Sequence, residues 1–373
     1  METVIGPAMP FIRERLDLGY TMASLHFFAF ASGAIVVGLT GERWMRLLGR
    51  PRALWGGLAG MVAGALLLAF SPVVAGTVLG TLLMGSLGTC SLMANQAVLA
   101  DLHGEQRAIA LTESNVAATS MAILAPLVIG AAAASRFGWQ MGIVVTVPWF
   151  AVLWLVYGRV ALPPVRQAAT QQVRETRLPT AFWWLAVVLF LVSAVEWCLA
   201  YWGAEFLATV VGLGSATAAT AMSIFFIAMA AGRILGSRLV RRYQSVPLLL
   251  IAVVIALVGF LGFWLAAQPV VSLAGLFIAG FGVANFYPLT VAVATGAAPD
   301  LIDRATARLA VATGLALLTA PLAVGTVADV AGMRWGFGIV VPLLVAAFAC
   351  ILVARRLLAV MSPHAGERLA PVS

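Results

Sequence analysis

The chain has no lysine, only three histidines and three cysteines among 373 residues, and charged side chains make up just 10% of it. Each shortage excludes something. Cys90, Cys198 and Cys350 are too few and too widely separated for a disulfide framework or a metal cluster. His26, His103 and His364 show no paired-ligand spacing, and His26 reads as a packed residue before it reads as a proton carrier. A membrane-embedded enzyme would need a nucleophile and base or a set of metal ligands. No His-Glu or paired-Asp cluster appears, so no catalytic residue, metal or cofactor is expected. With 62% hydrophobic residues and a mean hydropathy of +1.04, little room is left for a soluble domain.

Long apolar runs are what the chain has instead. They predict helices near 20–41, 53–70, 73–99, 107–134, 140–160, 181–207, 216–240, 246–267, 270–296, 304–329 and 335–358, with a stub before Phe11. About 20 residues at roughly 1.5 Å each cross the ~30 Å hydrocarbon layer, so these eleven runs read as spans of a multi-pass membrane protein.

The second half also repeats the first. Leu18-Gly19 recurs as Leu213-Gly214, an offset of 195, and Gly80 and Gly85 recur at the same offset as Gly275 and Gly280. Ala125-Pro126-Leu127 and Gly130 recur as Ala320-Pro321-Leu322 and Gly325, and Gly142-Ile143-Val144-Val145 as Gly338-Ile339-Val340-Val341. Duplicated helical halves facing one another are how many transporters build a central, alternately exposed site.

Because every basic residue is arginine, the positive charge is easily followed. Arg43, Arg46, Arg50, Arg52, Arg107, Arg159, Arg166, Arg174, Arg177, Arg233, Arg238, Arg241, Arg242, Arg304, Arg308, Arg355, Arg356 and Arg368 fall on one side. Arg13, Arg15, Arg136 and Arg334 fall on the other. By the positive-inside rule the rich side is cytoplasmic, and both termini lie inside if the stub is a crossing. The pI of about 10.4 therefore reports topology and not a nucleic-acid face.

The expected organisation is an N-terminal bundle over 1–160, a cytoplasmic loop over 161–180, a C-terminal bundle over 181–358 and a tail over 359–373. Two six-helix bundles, a polar central loop and a basic turn after the second helix of each half resemble the major facilitator superfamily over essentially the whole chain. That family's turn reads glycine, three residues, an acid and an arginine, then glycine and basic residues. Gly38, Glu42 and Arg43 match it, but the next glycine comes only at Gly49, with Arg50 and Arg52 after it. The copy at Gly232, Gly236, Ser237 and Arg238 has no acid. In the family this turn latches the cytoplasmic side. The resemblance implies that Glu42 faces the stretch from Asp303 to Arg308 and that Arg43 approaches Asp101; a plain solvated turn is the alternative. Drug-proton antiporters of the superfamily carry a glycine-rich stretch around Gly-Pro in the fifth helix. Here Ala125 and Met121 stand at glycine positions, and the Ala-Pro-Leu block recurs in the other half, as a kinking and packing device would. Gly56, Gly60 and Gly64, four apart, read as packing glycines.

Charge at membrane depth costs at least about 2.5 kcal/mol, so such residues are functional candidates. Glu196 leads. It lies about 22 Å along a helix that starts near Ala181, and Trp197, Tyr201, Trp202 and Glu205 follow it. The family's seventh helix lines the cavity, which would make these substrate contacts. An interfacial aromatic belt and a solvated helix end are the alternatives for Trp197, Trp202 and Glu205. Glu113 and Asn115 lie about 9 Å into the fifth helix, and the counterpart of Glu113 in the repeat is Arg308, an opposite charge for an inner gate or a helix end. Asn95, Gln96, Asn285 and Tyr287 lie on the helices that line the family's cavity, and suit hydrogen bonding to a polar substrate or between helices.

The expectation is a monomeric secondary transporter of the inner membrane, moving a small organic solute by alternating access with proton coupling, Glu196 serving either to couple protons or to bind a cationic group. A drug or metabolite efflux antiporter and a non-transporting membrane sensor or scaffold are the alternatives. The first helix is expected to be truncated, because about twelve residues before Arg13 reach only some 18 Å of the ~30 Å required. A start codon placed about fifteen residues late or a genuine deletion would produce that offset.

Overall fold

The computed structural model describes residues 2–160, 162–163, 177–266 and 268–361, apart from the side chains of Glu2, Glu42, Ala108, Asp303 and Met361. The expected central loop and C-terminal tail fall mostly outside these residues. The first half comprises α1 (Glu2–Leu16), α2 (Tyr20–Leu48), α3 (Arg50–Phe70), α4 (Val74–His103), α5 (Arg107–Ala134), α6 (Gln140–Val144) and α7 (Thr146–Tyr157). The second comprises α8 (Thr180–Thr209), α9 (Ser215–Leu239), α10 (Ser245–Leu265), α11 (Pro269–Val283), α12 (Phe286–Gly296), α13 (Ile302–Ala331), α14 (Met333–Gly338) and α15 (Val340–Met361). Eleven segments among the described residues are long and apolar enough to cross a membrane.

Proline accounts for the three places where a span divides in two. The breaks fall at Val145, Asn285 and Ile339, each three residues before a proline: Pro148, Pro288 and Pro342. A proline ring carries no N–H for the carbonyl four residues back and clashes with it, so the ladder opens there. The repeated Gly-Ile-Val-Val block lies on the break in both halves. Pro126 and Pro321 lie within unbroken α5 and α13.

The expected end of the second helix needs correction. The chain stays helical past Gly41 to Leu48 and turns at Gly49, whose φ of +74° suits a residue without Cβ. Arg43 and Arg46 are therefore on the last turns of α2, whereas Arg50 begins α3.

The repeat is a repeat of packing. A Cβ on Gly85 of α4 would collide with the Phe30 carbonyl of α2, and one on Gly280 of α11 would lie 2.8 Å from the Phe225 carbonyl of α9. Phe30 and Phe225 are themselves 195 residues apart, so one glycine in each half draws the same helix pair together. Gly60 and Gly64 pack against α4 as expected, but Gly56 meets open space and its neighbour Gly57 takes the contact. At the centre, α8 is surrounded by α1, α9, α12, α13 and α15, and most of its length is buried.

Candidate functional site

The polar contacts that join the two halves gather at the Arg-poor ends of the helices. The N-cap of α2 is Gly19, which offers no side-chain oxygen for the free N–H groups of the first turn. Asp329, near the end of α13 in the other half, supplies them: its carboxylate accepts from the Tyr20 N–H at 2.6 Å and the Thr21 N–H at 2.8 Å. An anion there also meets the positive end of the helix dipole. Beside it, Arg13 donates through Nε to the Leu18 carbonyl at 3.0 Å, lies 3.8 Å from the centre of the Tyr20 ring, and pairs with Glu205 of α8. Ser223 of α9 donates to the Ile123 carbonyl of α5 at 3.0 Å. Glycine again sets the approach, now between halves. A Cβ on Gly130 of α5 would lie 2.7 Å from the Ala216 carbonyl of α9, and one on Gly325 of α13 would lie 2.7 Å from the Tyr20 carbonyl of α2. These two contacts are images of each other under the repeat.

Three expected substrate contacts are packed within this closure. Tyr201 and Trp202 are fully buried; Tyr201 stacks on Phe27 of α2 with ring centres 4.3 Å apart, and the Trp202 indole donates to the Pro321 carbonyl of α13 at 2.8 Å. Glu205 is 1% exposed and paired with Arg13, so it is not a solvated end. The reason is that α8 is enclosed on nearly every side at this level. His26 is buried as well and bonds to Thr77 of α4 at 2.8 Å, a packed residue as expected.

Towards the Arg-rich ends the helices expose their flanks. Ile35 of α2 still approaches Gly314 of α13, whereas Val36, Leu39, Val311 and Leu315 beyond them are exposed, as are Ile109 and Val116 on α5. Glu113, Asn115 and Arg308 are exposed too, and Glu113 and Arg308 form no ion pair with each other. The side chains of Glu42 and Asp303, expected to face one another, lie outside the described residues, and Gly38 is exposed with open space around it. Asp101 pairs with Arg50 at 2.7 Å and not with Arg43, which is exposed. The late turn at Gly49 carries Arg50 to the position expected of Arg43, and Arg50 also donates to the Pro163 carbonyl at 3.1 Å.

Between these levels lies Glu196. It is 19% exposed and faces Arg233 of α9, with Oε1 4.0 Å from Nη2, while the arginine side chain is 46% exposed. Pro288 leaves the Ala284 carbonyl without its helical donor, and Arg233 Nε donates to that oxygen at 3.4 Å. The adjacent Asn285 donates to the Gly232 carbonyl of α9 at 2.8 Å. Asn285 thus uses an amide hydrogen to clamp α9 to the break. Trp197 is half-buried beside Glu196 and 5.3 Å from the Tyr201 ring. Asn95 is half-buried on α4 and Tyr287 exposed on α12. Sequence reasoning counted Arg233, Arg13 and Arg50 only as topology markers and passed over Asp329. The signal for Asp329 was an acid near a helix end on the side poor in charge.

Comparison with known proteins agrees with this architecture. The Major Facilitator Superfamily profile matches residues 1–300. A Yersinia pestis protein described as an uncharacterized MFS-type transporter is 25% identical over 160 residues, 43% of this chain and 42% of that protein, so the match spans about two fifths of the relative's length. Among solved structures, a bacterial homologue of the human lysosomal transporter Spinster, in an inward-facing and occupied conformation, superposes with a TM-score of 0.82 at 17% identity, covering 95% of this chain and 93% of that one. A mutant of the nucleoside transporter NupG superposes with a TM-score of 0.78 at 13% identity, covering 95% of each chain. At those identities the likeness shows the fold alone. With the repeat, the spans and the profile in agreement, this chain belongs to the major facilitator superfamily.

Proposed function

We propose that the protein is a monomeric, proton-coupled secondary transporter of a small organic solute, resident in the inner membrane with its Arg-rich face and both termini in the cytoplasm. The observation that carries the reading is the uneven closure of the two halves among the described residues: joined through Asp329, Arg13 and the Gly130 and Gly325 contacts at one face, with Gly38, Glu113, Asn115 and Arg308 exposed towards the other. With the positive-inside orientation this is a state open to the cytoplasm. Alternating access would follow from parting the joined ends of α2–α13 and α5–α9 while the splayed ends close. Glu196 is the coupling residue, as the carboxylate at mid-depth with access to the open side.

The test is a pH-gradient assay in everted vesicles against a panel of solutes. At least one solute should move protons in vesicles carrying the protein, and the sign of the change distinguishes symport from antiport. Glu196→Gln keeps shape and removes charge; it should insert normally and lose coupled movement. Unchanged pH dependence in that variant would overturn the proton role.

A further inference from the structure

Two ion pairs on the Arg-rich half of the molecule differ in how they hold the guanidinium, and their contrast is informative. Arg50–Asp101 is short, 2.7 Å, and its arginine is 6% exposed: a closed structural bridge. Arg233–Glu196 makes one contact at 4.0 Å, with an arginine 46% exposed. A pair at that distance holds little of the attraction available at hydrogen-bond range, and an exposed guanidinium can exchange its partner. Yet Arg233 is fixed in place. Its Nε is anchored on the carbonyl that Pro288 leaves free, and Asn285 clamps the same stretch of α9 through Gly232. A guanidinium has five N–H donors in a planar fork that matches the two oxygens of a carboxylate or phosphate. Here Nε and Nη2 are engaged, and the Nη1 end remains for a ligand.

Resting on the transport reading above, we propose that Arg233 is the substrate-binding group and that the substrate class is an organic anion, a carboxylate or a phosphate monoester. The anion takes the guanidinium that Glu196 now faces, and Glu196 leaves the pair by accepting a proton from the open side onto its carboxylate. The charge balances. With a carboxylate substrate, a carboxylate facing a guanidinium is replaced by a neutral acid, a guanidinium and a monoanion, so one proton and one monovalent anion enter together with no net charge; a phosphate monoester, about −1.5 to −2 near neutral pH, balances in this way only as its monoanion and otherwise carries one further negative charge in with it. Few other charges compete at this depth. Residues 3–12 of α1, 309–328 of α13 and 340–354 of α15 contain no charged side chain, α11 and α12 have none, and the other titratable groups on the surrounding elements at this depth are the Tyr287 phenol and the Cys350 thiol. Arg233, on α9, is a charged group that meets Glu196 at this depth.

The experiment measures binding to the full-length protein in phosphatidylcholine nanodiscs, by the change in tryptophan fluorescence that Trp197 beside Glu196 should report. The probes are lactate, glycerol phosphate, choline and glycerol, each at pH 8 and pH 6. At least one of the two anions should bind, about tenfold tighter at the lower pH, and choline and glycerol should not compete. Whichever anion binds identifies the headgroup, and repeating the measurement in phosphatidylglycerol nanodiscs tells a lipid phosphate from a soluble one by competition. Glu196→Gln should bind that anion at least as tightly as the parent at both pH values. Arg233→Gln should lose at least tenfold and Arg233→Lys retain part of the affinity; the Glu196 variant carries the test if these fold poorly. Failure of both anions to bind, an unchanged affinity in Arg233→Gln, or weakened binding in Glu196→Gln would overturn the proposal. Proton-coupled movement of choline without anion binding would sink this inference while leaving the transport reading intact.

Discussion

Trp202 and Arg50 show how a residue's position decides its role against its chemical promise. Trp202 has the ring and the donor of a ligand contact, yet the N–H is spent on the Pro321 carbonyl of α13 and the ring packs edge-on against Tyr20 and Phe27 of α2. Trp202→Phe should lower thermal stability in detergent by about one interhelical hydrogen bond, roughly 0.6–2 kcal/mol, with solute movement per folded molecule unchanged. Lost solute binding at unchanged stability would return Trp202 to the substrate site. The arginine turn gives a paired prediction. Arg43 is exposed and has no ion pair among the described residues, so Arg43→Gln should change stability by less than about 0.5 kcal/mol. Arg50→Gln strips the counter-charge from Asp101 and should cost more than about 1 kcal/mol in the same unfolding assay. Equal effects of the two would mean that the turn works as the family pattern places it.

At the scale of elements, glycine and proline set where helices touch and where they break. Because Gly85 and Gly280 occupy equivalent positions against carbonyls of equivalent phenylalanines, Gly85→Ala and Gly280→Ala should both destabilise the chain, by about 1–3 kcal/mol of overpacking each. A neutral result at either one would show that the two halves do not pack alike. These features also explain what was legible in the sequence. The spans, the two halves and the bend-making prolines follow from apolar length, the 195-residue repeat and the missing proline N–H, all local or periodic properties. The extension of α2 to Leu48 was not legible, because Gly41 resembles a stop, and only at Gly49 does the backbone take the positive φ that turns the chain. The site was legible in its one deeply placed carboxylate, Glu196. Arg233 was hidden among topology arginines, since its role depends on a carbonyl freed by Pro288 in another helix. Glu205 and Asp329 were likewise decided by partners about 190 and 309 residues away, beyond any local pattern.

For the whole molecule, the joined face is a balance that a single carboxylate can shift. Asp329 caps the first turn of α2 from the opposite half, so its two hydrogen bonds exist only while that face is closed. Removing a helix cap costs about 0.5–2 kcal/mol, and here the loss falls on one conformation alone. Asp329→Ala should therefore enrich the form parted at the Arg-poor face by roughly two- to thirtyfold, at about 1.4 kcal/mol per factor of ten. Ser24 is fully buried against Gly325 in that closure, so Ser24→Cys makes a reporter once Cys90, Cys198 and Cys350 have been replaced. An impermeant maleimide added from the Arg-poor side should label this cysteine faster in Asp329→Ala than in the parent. Asp329→Asn, which keeps an oxygen to cap the helix but loses the charge, should fall between them. Labelling at the same rate in all three would mean that the Asp329 contact does not hold the halves together. Faster labelling from the Arg-rich side would reverse the orientation assigned to the molecule.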